Sequence, residues 1–97
     1  MCVLLEIEYC KKYLNLDSGI NCESVYYITV DEVLSEGDII FENYGVKIKL
    51  GNGDEDIIRG ITIDSGKIEL VLQILADGTV TPVALRDVLY DVLEVII

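Results

Sequence analysis

The sequence predicts an α+β domain, in which an antiparallel sheet of about four strands is followed by a C-terminal helical hairpin packed on one face of the sheet. Two observations lead to this prediction. Up to residue 63, several segments alternate apolar and polar residues, as half-buried strands do. From Asp64 onward, apolar residues recur every three or four positions, as on one side of an amphipathic helix. The 97 residues suit one domain spanning 1–97.

Four segments carry the signals of β-strands. The first alternates, so that Leu5, Ile7 and Tyr9 are expected on one half-buried face, and Glu6 and Glu8 on the other. The second is almost entirely β-branched or aromatic, and the third places two lysines on its solvent side. Glycine and asparagine between the segments favour tight turns. The last three strands are predicted at 24–30, 39–50 and 57–63, with a bulge at Gly60 in the fourth.

The first predicted helix begins at Asp64 or Ser65, because a short side-chain oxygen there accepts bonds from the free amide groups of the first turn. Leu70 and Ile74 lie outside its apolar stripe, so this helix is apolar nearly all round and is expected to be buried on several sides or covered by a partner. Gly78 is expected to end it at the C′ position. The apolar stripe consists of Ile68, Val71, Leu72 and Leu75.

The second predicted helix begins at Thr81-Pro82, with Thr81 as the N-cap and Pro82 at the first helical position. One of its faces is apolar and the opposite face is charged. The apolar stripe consists of Leu85, Val88, Leu89, Val92 and Ile96, and the charged face of Arg86, Asp87, Asp91 and Glu94.

The charge of the chain argues against two classes of partner. It carries 7 basic and 18 acidic residues, a net charge of −11. Nucleic acids and anionic membranes bind proteins through clustered Lys and Arg, and the only adjacent basic pair here is Lys11–Lys12. Glu6 and Glu8 interrupt the apolar N-terminus, so no signal-peptide pattern is present, and no apolar run approaches the roughly 20 residues of a membrane span. We therefore expect a cytoplasmic protein.

The apolar content predicts self-association. Hydrophobic residues make up 52% of the chain and the mean hydropathy is +0.44, where about 45–50% is usual for a soluble domain. A small domain has little interior, so part of this apolar surface lies outside the core. A homodimer is the simplest way to cover it.

No motif points to catalysis, to a cofactor or to a metal. The chain has no His to activate a thiol nucleophile, and Cys2, Cys10 and Cys22 have no C-x-x-C spacing, so structural or free thiols are expected. Whether any of the three is reactive is left open by the sequence. The acidic segment 52–56 lacks the spacing of an EF-hand and is interpreted as a solvated hairpin turn. We predict no catalytic, cofactor-binding or metal-binding residues.

Two segments resemble a family of short clostridial and related Firmicute proteins that is known only as a domain of unknown function. They are Tyr44-Gly45-Val46-x-Ile48 and the run from Val80-Thr81-Pro82 through Asp87-Val88 to Asp91-x-Leu93. The resemblance extends from about residue 27 to residue 93. It implies a bacterial, cytoplasmic protein and no established mechanism. The family often has His where this chain has Ala84, so any chemistry that depends on that His is absent here.

The sequence therefore favours a non-catalytic protein-interaction or regulatory module that forms a homodimer or binds another protein. Its interaction surface is predicted at Asp87, Tyr90, Asp91 and Tyr44. An alternative is a small-molecule binding domain, with a pocket between sheet and helices and a polar group buried among Tyr26, Tyr44 and Tyr90. The third alternative is an enzyme that uses carboxylates or a lone Cys.

Overall fold

The computed structural model describes residues 4–15, 21–34, 36–37 and 39–96. It confirms the α+β class: a four-stranded antiparallel sheet comes first and two helices follow. The strands lie in the order β1-β2-β3-β4, so β1 and β4 are the two edges of the sheet. The elements are β1 (Leu4–Asn15), β2 (Asn21–Leu34), β3 (Ile40–Leu50), β4 (Glu55–Thr62), α1 (Ser65–Asp77), a 3₁₀ turn (Pro82–Ala84) and α2 (Leu85–Ile96).

The first two strands are longer than the sequence predicts. β1 continues to Asn15 and β2 reaches Leu34, because cross-strand pairing extends past the segments with the clearest alternation. Tyr13 lies opposite Glu23, and Val33 lies opposite Phe41. Pairing with a neighbouring strand thus outweighs the weak local signal of these residues. The predicted turn at 35–38 is described only at Glu36 and Gly37, which form a turn there.

The sheet has a helix face, which packs against the helices, and an open face. Residues directly opposite each other share a face. Tyr26 lies opposite Ile48 on the helix face, and Tyr27 lies opposite Lys47 on the open face. Lys47 Nζ is 2.9 Å from Glu6 Oε1 and 3.6 Å from an oxygen of Glu55, so these three charges form one network on the open face. β3 is an inner strand, so its lysines do not protect an edge of the sheet.

A β-bulge at Tyr9 corrects the prediction for β1. The register shifts between Glu8 and Cys10, so Ile7 and Cys10 both lie on the helix face and Tyr9 is the extra residue. The alternation of the sequence cannot continue through such a shift. Leu5 and Ile7 share the helix face, as predicted, and they are 55% and 47% exposed.

A second bulge shapes β4. Arg59, Gly60 and Ile61 stand opposite Gly45 alone, and Gly60 has a φ of +67°, which confirms the predicted bulge. The bulge lies directly over Gly45: a side chain added there would come within 2.8 Å of Arg59 Cα and still closer to the carbonyl oxygen of Ile58. Glycine is therefore required at residue 45 by close backbone approach.

Helix α1 begins as predicted and ends differently. Asp64 is the N-cap, and its Oδ1 accepts bonds from the amides of Gly66 at 2.8 Å and Lys67 at 3.1 Å. Gly78 follows the last helical residue, Asp77, as predicted, but it is the C-cap, with a φ of −83°, and the left-handed conformation is taken by Thr79, with a φ of 49°. All four residues of the predicted stripe, Ile68, Val71, Leu72 and Leu75, are buried.

Helix α2 is preceded by a 3₁₀ turn that the sequence does not predict. Pro82 opens this turn, and the N–H of Ala84 donates to the carbonyl of Thr81 at 3.1 Å. The hydroxyl of Thr81 makes no capping bond, so Thr81 does not cap α2. Leu85, Leu89 and Val92 are buried and Val88 is half-buried, while the side chain of Ile96 lies outside the described residues. The charged face of α2 is exposed, as predicted.

Candidate functional site

A groove lies between α2 and the edge strand β4. Its volume is about 250 Å³. Apolar side chains from both elements form most of its wall, and one end is cationic. We call it the α2–β4 groove, and it is lined by Ile58, Gly60, Ile61, Arg86, Leu89, Tyr90 and Leu93.

Local structure explains why these residues meet. Arg86, Leu89, Tyr90 and Leu93 are spaced at i, i+3, i+4 and i+7, so they form a stripe along one side of α2. Leu89 is 4% exposed and anchors this stripe to the core. On the other wall, the bulge at Gly60 interrupts the regular edge of β4. Gly60 contributes its backbone to this wall, since a side chain added there would instead lie 3.2 Å from Asn43 Nδ2.

Tyr90 forms the outer rim of the groove. Its side chain is 72% exposed, although a residue of this size usually covers more of its surface in a folded protein. Asp87, Asp91 and Glu94 are spaced at i, i+4 and i+7. They form a second stripe along α2, next to the stripe that contains Tyr90. All three acids are exposed. The groove therefore has an apolar floor, an aromatic rim and an acidic flank.

The acidic flank is not neutralised within the described part of the chain. No salt bridge there reaches Asp87, Asp91 or Glu94. Arg86 adjoins this flank in sequence, but its Nε lies 3.2 Å from Asp56 Oδ2. Like charges four residues apart on a helix destabilise it by about 0.2–0.5 kcal/mol. This flank thus carries a small cost in stability that a basic partner would remove.

The fourth predicted site residue, Tyr44, lies apart from the other three. It packs partly against the core from β3, and its Oη donates to Glu42 Oε2 at 3.2 Å. Asp87, Tyr90 and Asp91 are together on α2, and Tyr44 does not line the groove. The structure thus brings three of the four residues into one surface.

The three tyrosines of the predicted small-molecule pocket do not converge. Tyr26 is fully buried and its Oη donates to the carbonyl of Val80 at 2.9 Å. Burial raises the pKa of Tyr26, so this hydroxyl keeps its proton. Tyr44 bonds to Glu42, and Tyr90 stands at the surface.

The acidic hairpin loop between β3 and β4 folds on itself. The amide of Asp54 donates to Asn52 Oδ1 at 2.9 Å, and Gly53 supplies a φ of +100° for the turn. Asp56 forms a salt bridge with Arg86. Within the residues that the structure describes, no three His, Cys, Asp or Glu side chains are placed to hold a metal ion.

The two described cysteines are free thiols: Cys10 is half-buried and Cys22 is buried. Burial raises the pKa of Cys10, while the nearby Lys12 acts in the opposite direction. A raised pKa leaves less of the nucleophilic thiolate at neutral pH, so Cys10 has the properties of a structural thiol. Cys2 lies outside the described residues.

Sequence reasoning identified Tyr90 but missed the groove itself. Leu93 and Arg86 adjoin the predicted apolar stripe of α2, and Gly60 was predicted as a bulge. No signal in the sequence connects these residues, because their proximity depends on where α2 lies along β4. The missed lining residues are Ile58, Gly60, Ile61, Arg86 and Leu93.

Three comparisons place the chain among known proteins. A model described as a family of unknown function, DUF6514, matches residues 5–95. This match covers more of the chain than the predicted resemblance, which began at about residue 27. Neither a curated protein nor a solved structure matches the chain. In the described residues, no helix is both long and apolar enough to cross a membrane.

Proposed function

The chain belongs to the DUF6514 family, whose function is unknown, and we propose that it is a protein-interaction module without catalytic activity. Its α2–β4 groove binds a partner segment that inserts an apolar side chain and carries basic residues beside it. The exposure of Tyr90 beside an uncompensated acidic flank supports this proposal most strongly.

The size of the groove supports a side chain as its occupant. Pockets for small molecules usually measure about 300–1,000 Å³, and this groove measures about 250 Å³. A groove of this size suits one or two apolar side chains from a peptide segment. Exposed tyrosine is also enriched where proteins meet, because its ring buries a large area at a low cost in conformational entropy.

Charge supports a basic partner. The chain has a net charge of −11, and three of its acids, Asp87, Asp91 and Glu94, flank the groove on one helix. Lysine or arginine beside the inserted residue would neutralise this flank and speed the encounter between the two proteins. A second copy of this acidic chain would meet repulsion here, so the groove is assigned to a different protein.

The source and the oligomeric state form part of the same proposal. The resemblance to clostridial and related Firmicute proteins supports a bacterial source and a cytoplasmic location. The exposed apolar residues support a homodimer, since Leu5, Ile7 and Tyr13 of β1 are 55%, 47% and 75% exposed. These residues lie on the edge of the sheet opposite to β4, so the dimer leaves the groove accessible.

The test is selection of binding peptides from an unbiased phage-displayed library against the immobilised wild-type chain. Enriched peptides should share an apolar residue next to Lys or Arg. Tyr90→Ala should weaken the binding of the selected peptides by roughly tenfold or more, as loss of an aromatic interface residue does. Asp91→Lys should weaken it through charge repulsion. Tyr13→Ala is the matched control, because Tyr13 is 75% exposed against 72% for Tyr90.

Two results would reject the proposal. One is the enrichment of peptides that bind wild type and Tyr90→Ala equally well. The other is a pool of peptides that lack basic residues and bind Asp91→Lys as tightly as they bind wild type. Circular dichroism of each variant confirms that the fold is intact, since Tyr90 and Asp91 are both exposed.

A further inference from the structure

The outer edge of β1 differs in charge from the rest of the chain. β1 contains two acids, Glu6 and Glu8, and two bases, Lys11 and Lys12, so its net charge is zero. The remaining 16 acids and 5 bases account for the whole net charge of −11. The acids lie in the first half of the strand and the bases in the second half. Two copies of this chain therefore meet less repulsion along β1 than at a typical part of the surface.

This charge order is complementary to itself. When two copies of one strand pair antiparallel, the first half of each strand lies against the second half of the other. The acidic half of β1 then lies against the basic half in the second copy, twice, related by a two-fold axis. A strand with charges of one sign would lack this property.

The bulge at Tyr9 brings the charged residues onto matching faces. Glu8 lies opposite Tyr27 and Lys11 lies opposite Val25, so both are on the open face. In a regular strand, residues three apart point to opposite faces. The register shift at Tyr9 removes this mismatch, and Lys11 Nζ already lies 3.9 Å from Glu8 Oε1 within one chain.

We propose that a second copy of this chain pairs antiparallel along the outer edge of β1, with Glu8 of each copy opposite Lys11 of the other. In this register Ile7 lies opposite Lys12, and both are on the helix face. The two faces of one sheet thus continue into the two faces of the other. The inference deepens the homodimer of the proposed function by naming its surface.

A neighbouring register places Glu6 opposite Lys11, and it also matches the faces. Glu6 is already bound by Lys47 at 2.9 Å, whereas Glu8 has only the 3.9 Å contact with Lys11. Lys11 makes a second long contact, at 3.7 Å, with Glu23. The ion contacts of Glu8 and Lys11 are thus longer than the contact of Glu6, and these two are the charges that a second copy would satisfy.

Apolar residues of β1 contribute to the same edge. The side chains of Leu5 and Ile7 are on the helix face and about half exposed. An added strand would cover part of both and would satisfy the outward amide and carbonyl groups of β1. Lysines and a bulge normally protect an edge from pairing. Here the lysines disfavour any added strand that has no acid opposite Lys11. A second copy of this chain has such an acid, Glu8.

The test is a pair of opposite charge reversals. Glu8→Lys alone and Lys11→Glu alone each place like charges opposite one another twice, and each should weaken the dimer by at least roughly tenfold. An equimolar mixture of the two variants restores attraction at both contacts and should form a heterodimer about as tight as the wild-type dimer. Glu69→Lys is the control for Glu8→Lys, because Glu69 is exposed on α1 and the two reversals change the net charge by the same amount in the same direction.

Sedimentation velocity of fluorescently labelled variants, over a concentration series, measures each association. A mixture that stays monomeric, or single variants that associate like wild type, overturns the inference, as does a monomeric wild type. Recovery in the mixture also shows that each variant folds. Peptide binding in the α2–β4 groove does not depend on β1, so a monomer that still binds the selected peptides would reject this inference and leave the groove proposal standing.

Discussion

The hydroxyl of Tyr26 on the second strand donates a hydrogen bond of 2.9 Å to the carbonyl oxygen of Val80, which follows helix α1. Both residues are buried, and 54 residues separate them in sequence. This bond attaches the segment between the two helices to the sheet. It satisfies the carbonyl of Val80, which lies beyond the end of α1 and is not part of a strand.

Loss of this hydroxyl should destabilise the fold without changing its shape. Tyr26→Phe keeps the ring in the core and leaves the carbonyl of Val80 without its donor. The free energy of unfolding should fall by about 1–3 kcal/mol, the cost of an unsatisfied buried polar group. Urea titration measures this change. Tyr13→Phe is the control, because Tyr13 is 75% exposed; equal stability of Tyr26→Phe and wild type would contradict the role of the bond.

The same hydroxyl predicts a loss of stability at alkaline pH. Burial raises the pKa of Tyr26 above its ordinary value of 10.0, so the unfolded chain loses this proton at a lower pH than the folded chain. The contribution of this group to stability is therefore fully present below pH 10 and is lost as the pH rises through the folded pKa. Wild type should lose stability more steeply than Tyr26→Phe above pH 10. Urea titrations at several pH values measure the free energy of unfolding of both proteins. An equal loss of stability with rising pH in the two would contradict this assignment, since all other titrating groups are common to both proteins.

Gly45 should tolerate no side chain. A methyl group there would lie 2.6 Å from Thr29 Oγ1 and against the backbone of the β4 bulge, which cannot move without breaking its pairing with β3. Gly45→Ala should lower the free energy of unfolding by about 3 kcal/mol or more. Gly51→Ala is the control, because its nearest neighbours would be 3.6 Å away. Thermal unfolding compares the two, and a loss at Gly45 no larger than at Gly51 would contradict the close approach.

Leu89 should be part of the core that holds α2 in place. It is 4% exposed and forms the floor of the α2–β4 groove. Leu89→Ala should lower the free energy of unfolding by about 2–5 kcal/mol through lost burial and the cavity left behind. Val83→Ala, at a position 93% exposed, should change it by less than about 0.5 kcal/mol. A loss below about 1 kcal/mol for Leu89→Ala in a denaturant titration would contradict its burial.

The periodicity of the sequence predicts the helices well, since 3.6-residue spacing depends only on local geometry. It identifies four of the five buried residues of α1 and separates Tyr90 and the acids of α2 from the core. Leu70 and Ile74, which extend the apolar surface of α1, are 44% and 38% exposed, so the chain itself does not cover this helix on several sides. Alternation predicts the faces of a strand but not what covers them. Leu5 and Ile7 lie on the helix face as expected, and they remain about half exposed because the helices do not cover them.

The sequence predicts neither the bulge at Tyr9 nor the groove, for different reasons. No glycine or turn residue marks the register shift at Tyr9, which arises from the pairing of β1 with β2. The groove depends on how far α2 lies from β4, and that distance is set by tertiary packing. The bulge at Gly60 was predicted because glycine is a local signal, but its contribution to a binding surface was not.

The binding of a partner in the α2–β4 groove is tested most directly by amide chemical shifts of the ¹⁵N-labelled chain during titration with a peptide selected from the library. The proposed function predicts that the largest shift changes occur at Ile61, Tyr90 and Leu93, on the two walls of the groove. Shift changes concentrated on β1, or in the hairpin loop around Gly53, with the groove residues unmoved, would contradict it.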